Sequence, residues 1–101
     1  MDPNEAFSKR YNDNVALFNA QMQESGLPPH VIAASAAYAT ARFSVWATAT
    51  STLTATELES RRQYAIDTFL DGFRQMLNEH FDDFTQNYST HFQHKPGVVT
   101  R

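Results

Sequence analysis

Cysteine is absent from this chain, which excludes disulfides, thiolate metal sites and thiol nucleophiles together. That composition fits a reducing compartment. Glycine is scarce, with three residues, and leaves little for a loop that cradles phosphate. Basic charge is thin and scattered: eight Lys and Arg against eleven Asp and Glu, for a net charge of -3. Displacing counterions from nucleic acid needs clustered Lys and Arg, so no nucleic-acid partner is expected. Long apolar runs are also missing. Between Val31 and Thr56 the one charge is Arg42, yet Ser35, Thr40, Ser44, Thr48, Thr50 and Ser51 interrupt the stretch. Its bulk is alanine, which barely favours lipid, so no membrane span is expected. The first twenty residues carry Asp2, Glu5, Lys9, Arg10 and Asp13 with no apolar run between them, so no secretory signal is expected and a cytoplasmic location is.

What is present is a globular balance. Hydrophobic residues make up 42% and charged residues 19%, with aromatics at 13%. A chain of 101 residues is long enough for one core without metal or disulfide staples.

Two breaks divide the chain into three helical segments. In the first, Asp2 suits a cap, Pro3 the first helical position and Glu5 a capping box. Phe7, Tyr11, Val15, Phe18 and Met22 then recur on one helical face. Gly26 stops this helix and Leu27-Pro28-Pro29 turns the chain. The second segment is alanine-rich and apolar on two sides. Ile32, Ala36, Ala39, Phe43 and Trp46 form one stripe; Val31, Ala34, Tyr38, Ala41 and Val45 form another. The two stripes fit the central helix of a bundle, and equally a helix whose second stripe meets another copy of the chain.

Thr54 and Glu57 have capping-box spacing, and Leu53 with Leu58 occupy the positions of a hydrophobic staple, so a third helix begins at Ala55. Its main face carries Leu58, Ala65, Phe69, Phe73, Met76, His80, Phe84 and Tyr88. Its outer side pairs Glu57 with Arg61, Glu59 with Arg62 and Asp71 with Arg74. Running to about Tyr88, it is about 50 Å long at ~1.5 Å per residue. A compact domain of this size is only about 35 Å across. The helix therefore bends, with Gly72 or Asn78 as the weak point, or packs its aromatic end on a partner chain.

The expected fold is all-α: an antiparallel three-helix bundle with a long, bent or extended third helix. Residues 1–92 form a single domain with helices at about 3–25, 29–50 and 55–90, followed by a flexible tail over 93–101.

Tyr38-Ala39-Thr40-Ala41-Arg42-Phe43-Ser44-Val45-Trp46 is similar to the central motif of a bacterial family of small all-helical proteins, domain of unknown function 3144. Phe69 with Phe73-Arg74-Gln75-Met76-Leu77, then Glu79 and Asp82-Asp83-Phe84, resemble its C-terminal motif in the same order. Leu17-Phe18-Asn19-Ala20-Gln21-Met22 resembles the end of its first helix. Ser44 and His80 depart from the pattern, which has an amide at the first position and Asn at the second. The resemblance implies a bacterial, cytoplasmic helical domain and transfers no catalytic residue.

Chemistry-bearing clusters are few. Glu79, Asp82 and Asp83 lie a turn apart with His80 nearby, but a di-metal bundle site needs acids from facing helices, typically with Glu-x-x-His spacing. They read as a solvated face, oddly acidic for a helix C-terminus. His91 and His94 have the spacing of a helical metal pair but sit beside Pro96-Gly97. No metal site is expected. Arg42 fits an ion pair with Asp67 or Asp71, an exposed position with its stem over Tyr38 or Trp46, or an anchor for a ligand's carboxylate or phosphate. Tyr38, Arg42 and Trp46, with His30, could line a small-molecule pocket; aromatics at helical spacing more often serve a core. No nucleophile elbow, phosphate loop or catalytic carboxylate pair is legible, so neither enzymatic activity nor a cofactor is expected. The function expected is self-association, as a homodimer or other homo-oligomer, through Val31, Tyr38 and Val45 and the aromatic end Phe81, Phe84, Tyr88 and Phe92.

Overall fold

The structure, a computed structural model, describes residues 1–93, and every regular element in that range is an α-helix. The chain divides into two units, Met1–Ser51 and Thr52–Arg101.

The first unit is a helical hairpin. Helix α1, Pro3–Ser25, starts as its sequence dictates: Asp2 Oδ1 accepts the Glu5 N–H at 2.9 Å, and Pro3 opens the first turn. It stops at Gly26, whose φ of 69° is a left-handed conformation that a side chain would strain. The Gly26 N–H donates to Met22 O at 3.0 Å, and the Leu27 N–H donates to Ser25 Oγ at 3.1 Å. Helix α2 then runs Pro29–Ala49. Its hydroxyls explain how so apolar a helix carries so many Ser and Thr. Ser35 donates to Ile32 O, Thr40 to Ala36 O, Ser44 to Thr40 O and Thr48 to Ser44 O, at 2.8 to 3.1 Å. Each polar tip is satisfied by its own helix.

Helices α1 and α2 pack together. Ile32 is 7% exposed, and Phe18, Met22 and Ala36 are half-buried. Toward the far end of the hairpin Phe7, Phe43 and Trp46 are exposed, the last two in tilted contact at 5.4 Å between ring centroids.

In the second unit the single long helix expected from sequence is three pieces: α3 Ala55–Ser60, α4 Arg62–Gln86 and α5 Tyr88–His91. Thr54 caps α3 as expected, its Oγ1 accepting the Glu57 N–H at 3.1 Å. The staple does not form. Leu53 is 95% exposed, and the Glu57 carboxylate instead accepts the Leu53 N–H at 3.1 Å.

Gly72 and Asn78, the expected weak points, lie inside the continuous α4, and the interruptions fall at Arg61 and Asn87. At Arg61 the helix tightens locally, and Ser60 Oγ donates to Glu57 O at 2.6 Å beside the break. The Arg61 N–H turns to Leu58 O at 3.1 Å, tightening one turn before Ala65 resumes the α pattern on Arg61 O. At Asn87 the backbone leaves the helical region with φ -117° and ψ 33° while the side chain donates to Asp83 Oδ1 at 2.8 Å. Of the expected tail, residues beyond Gln93 lie outside the described residues.

Candidate association surface

At 100° per residue, Ile66, Phe69, Leu70, Phe73, Met76, Leu77, Phe81 and Phe84 fall on one half of α4. Asp67, Asp71, Arg74, Gln75, Asn78 and Asp82 fall on the other. The polar half is braced by its own side chains: Gln63 donates to Asp67 at 2.9 Å and Gln75 to Asp71 at 3.3 Å. Glu57–Arg61 and Glu59–Arg62 form the ion pairs read from their spacing. Asp71–Arg74 does not, and Arg74 has no ion-pair partner among the described residues.

The apolar half has no cover within its own unit. Phe69 and Phe73 stack on each other at 5.9 Å between centroids, yet Phe73 is 42% exposed and Phe81 66%. The flanking helices α3 and α5 have six and four residues, too few to cover a face of seven turns.

On α2, Val31, Tyr38 and Val45 form an outward stripe on the side away from Ile32 and Ala36, with Tyr38 81% exposed. Tyr38, Arg42 and Trp46 border a depression floored by Ala39 and Ala41, all from this one helix. A wall made from a single helix leaves a ligand open to solvent within this unit. Arg42 is exposed and makes no ion pair among the described residues. His30 is exposed at the start of the same helix.

The C-terminal aromatics meet one another. The His91 ring stacks on Phe84 with centroids 3.9 Å apart, and Phe92 lies 4.9 Å from Tyr88 and 6.1 Å from Phe84. His91 Nε2 stands 3.0 Å from Asp83 Oδ2. The hydrogen bond from Asn87 holds the Asp83 carboxyl below its ordinary range, and His91 adds to that effect. Asp83 is thereby spent on local structure. Among the described residues no three His, Asp or Glu side chains come together as a metal site. His94, the other half of the sequence-level His pair, lies outside the described residues. His91 as the clamp of this knot was not legible in the sequence. In an unbroken helix residues eight apart stand about 12 Å from each other along the axis, so this contact depends on the break at Asn87. No helix among the described residues is long and apolar enough to cross a membrane.

The family described as "Protein of unknown function (DUF3144)" matches residues 7–85, from the first turns of α1 almost to the end of α4. Among solved structures the chain is similar to the NMR structure of the protein NB7890A from Shewanella sp, with a TM-score of 0.72 and 25% identity. That likeness covers 88% of this chain and 93% of the other. No curated protein matches the chain.

Proposed function

The chain belongs to the DUF3144 family, and from its uncovered helix faces we propose that it is a non-enzymatic association module whose partner is a second copy of itself. The observation that carries this is the apolar half of α4, a continuous face that its own unit leaves in water. Each aromatic ring brings about 150–250 Å² of surface when covered. At about 25 cal/mol per Å² such a face is a strong drive to helix packing. The outward stripe of α2 is a second apolar surface of the same kind, with small residues between Val31, Tyr38 and Val45 that let another helix approach closely. The knot of Phe84, Tyr88 and Phe92 closes the end of the α4 face. Phe81 stands outside the ring contacts of that knot and remains available to a partner.

Its role is that of a small scaffold or adaptor, in which the paired form presents a surface the single chain lacks. The absence of cysteine and the likeness to a Shewanella protein support a bacterial, reducing setting. Light scattering on protein eluting from a sizing column at micromolar concentration tests the proposal. A mass of twice the 11.5 kDa chain is expected, and a mass of one chain overturns it.

The depression beside Tyr38, Arg42 and Trp46 supports a second reading, capture of a small anion-bearing aromatic ligand. Trp46 is the single tryptophan, so its emission reports on this surface alone. Unchanged emission across a panel of aromatic carboxylates sinks that reading.

A further inference from the structure

We infer that α4 pairs with α4 of a second copy in antiparallel orientation, in the register that sets Phe69 opposite Phe73 and Ile66 opposite Met76. This rests on the self-association proposed above and specifies its geometry.

The seam comes from spacing. Arg62, Ile66, Phe69, Phe73, Met76 and His80 follow one another at intervals of four, three, four, three and four. That is an alternating heptad seam in a helix that runs unbroken from Arg62 to Gln86. Its middle four residues are apolar and its ends are Arg62 and His80. Leu70 and Leu77 widen one flank, and Ala65 and Gly72 keep the other flank low. A Cβ at Gly72 would meet nothing within 4 Å, so this flank is open to a neighbouring helix.

Charge selects the orientation. Glu79, Asp82 and Asp83 crowd the C-terminal part of α4, with no Lys or Arg between Met76 and Gln86. At the N-terminal end Arg61 and Arg62 neutralise Glu57 and Glu59. A parallel pair would lay each acidic end beside its own copy, and an antiparallel pair lays it beside this neutralised end.

Polarity along the seam selects the register. In antiparallel pairing the sum of facing residue numbers is constant. With Phe69 facing Phe73, Ile66 faces Met76 and Arg62 faces His80, so apolar meets apolar and polar meets polar. Arg62 brings its own neutralising partner, Glu59, into that end layer. Sliding one heptad either way places Arg62 on Phe73, or His80 on Phe69 and Asp83 on Ile66. Each slide sets an ionisable group against an apolar side chain.

The chain has no cysteine, so single cysteines can report the geometry. In this register the two copies of residue 70 are offset by about 3 Å along the axis, and the two copies of residue 77 by about 18 Å, at ~1.5 Å rise per residue. Both leucines lie on the same flank, so only their axial position differs. The full-length Leu70→Cys and Leu77→Cys proteins are exposed to oxidant or to a short bismaleimide, with light scattering on each before treatment. Efficient joining at 70 and none at 77 is expected. Joining at both, or at 77 alone, overturns the antiparallel register. Joining at neither, in proteins that scatter as dimers, places the interface elsewhere and leaves self-association standing. A monomeric wild type removes both.

Discussion

The imidazole of His91 lies flat against the ring of Phe84, with centroids 3.9 Å apart and planes 7° from parallel. The same imidazole reaches Asp83 through Nε2 at 3.0 Å. One side chain thus holds both a ring and a carboxylate from the last turn of α4, and it folds the short helix α5 back onto that turn. An exposed aromatic helix end becomes a small knot with Tyr88 and Phe92.

That knot depends on the Asp83 charge. The carboxyl is held low chiefly by the Asn87 bond and then by His91. A carboxyl depressed in the folded state contributes stability above its unfolded value, and that contribution is lost as pH falls through the folded value. Acidification below the ordinary carboxylate range should therefore release α5 while the centre of α4 persists. Amide exchange of His91 and Phe92, relative to that of Phe73 and Met76, should rise several-fold in acid. Asp83→Asn should show the faster exchange already at neutral pH. Equal protection at both pH values would contradict the linkage.

The centre of the α4 face should behave as an interaction hot spot. Phe73→Glu places a charge in the seam and should weaken self-association about tenfold or more, with the helical circular dichroism of the separated chains retained. Asn78→Glu, on the polar half of the same helix, should leave association unchanged.

Thr54→Ala removes the side-chain acceptor for the Glu57 N–H and should cost about 1 kcal/mol in urea unfolding. Thr54→Ser keeps the oxygen and should cost little. The Glu57 carboxylate on the Leu53 N–H is a second restraint on this start, so α3 should fray without the second unit unfolding.

Gly26→Ala should destabilise the hairpin by about 1 kcal/mol. An added Cβ meets nothing within 4 Å there, so the cost is that of holding an L-residue at φ 69°. Gly72→Ala, inside α4 at ordinary helical φ, should instead leave stability unchanged or raise it.

The contrast between those two glycines shows what sequence conveys. Asp2, Pro3, Gly26 and Thr54 act within a few residues of themselves, so the starts and stops they mark were legible and the structure places them there. Gly72 has low helix propensity and marked an expected bend, yet the apolar spacing on both sides carries the helix through it. The break at Arg61 carried no sequence signal of its own, since Glu59, Ser60 and Arg61 are ordinary helical residues. Leu53 had staple spacing, yet its side chain stays in water. The apolar face of α4 was legible as periodicity, but self-association was expected from sequence at Val31, Tyr38, Val45 and the aromatic end Phe81, Phe84, Tyr88 and Phe92, not at the centre of that face around Phe69 and Phe73. The His91 clamp was not legible, because it exists only after the helix breaks at Asn87.

Sedimentation equilibrium across a micromolar concentration series, with wild type beside Phe73→Glu, tests self-association through α4 most directly. The wild type should approach twice 11.5 kDa as concentration rises, with Phe73→Glu remaining at one chain over the same range. A wild type that stays at one chain mass throughout, indistinguishable from Phe73→Glu, would contradict the account.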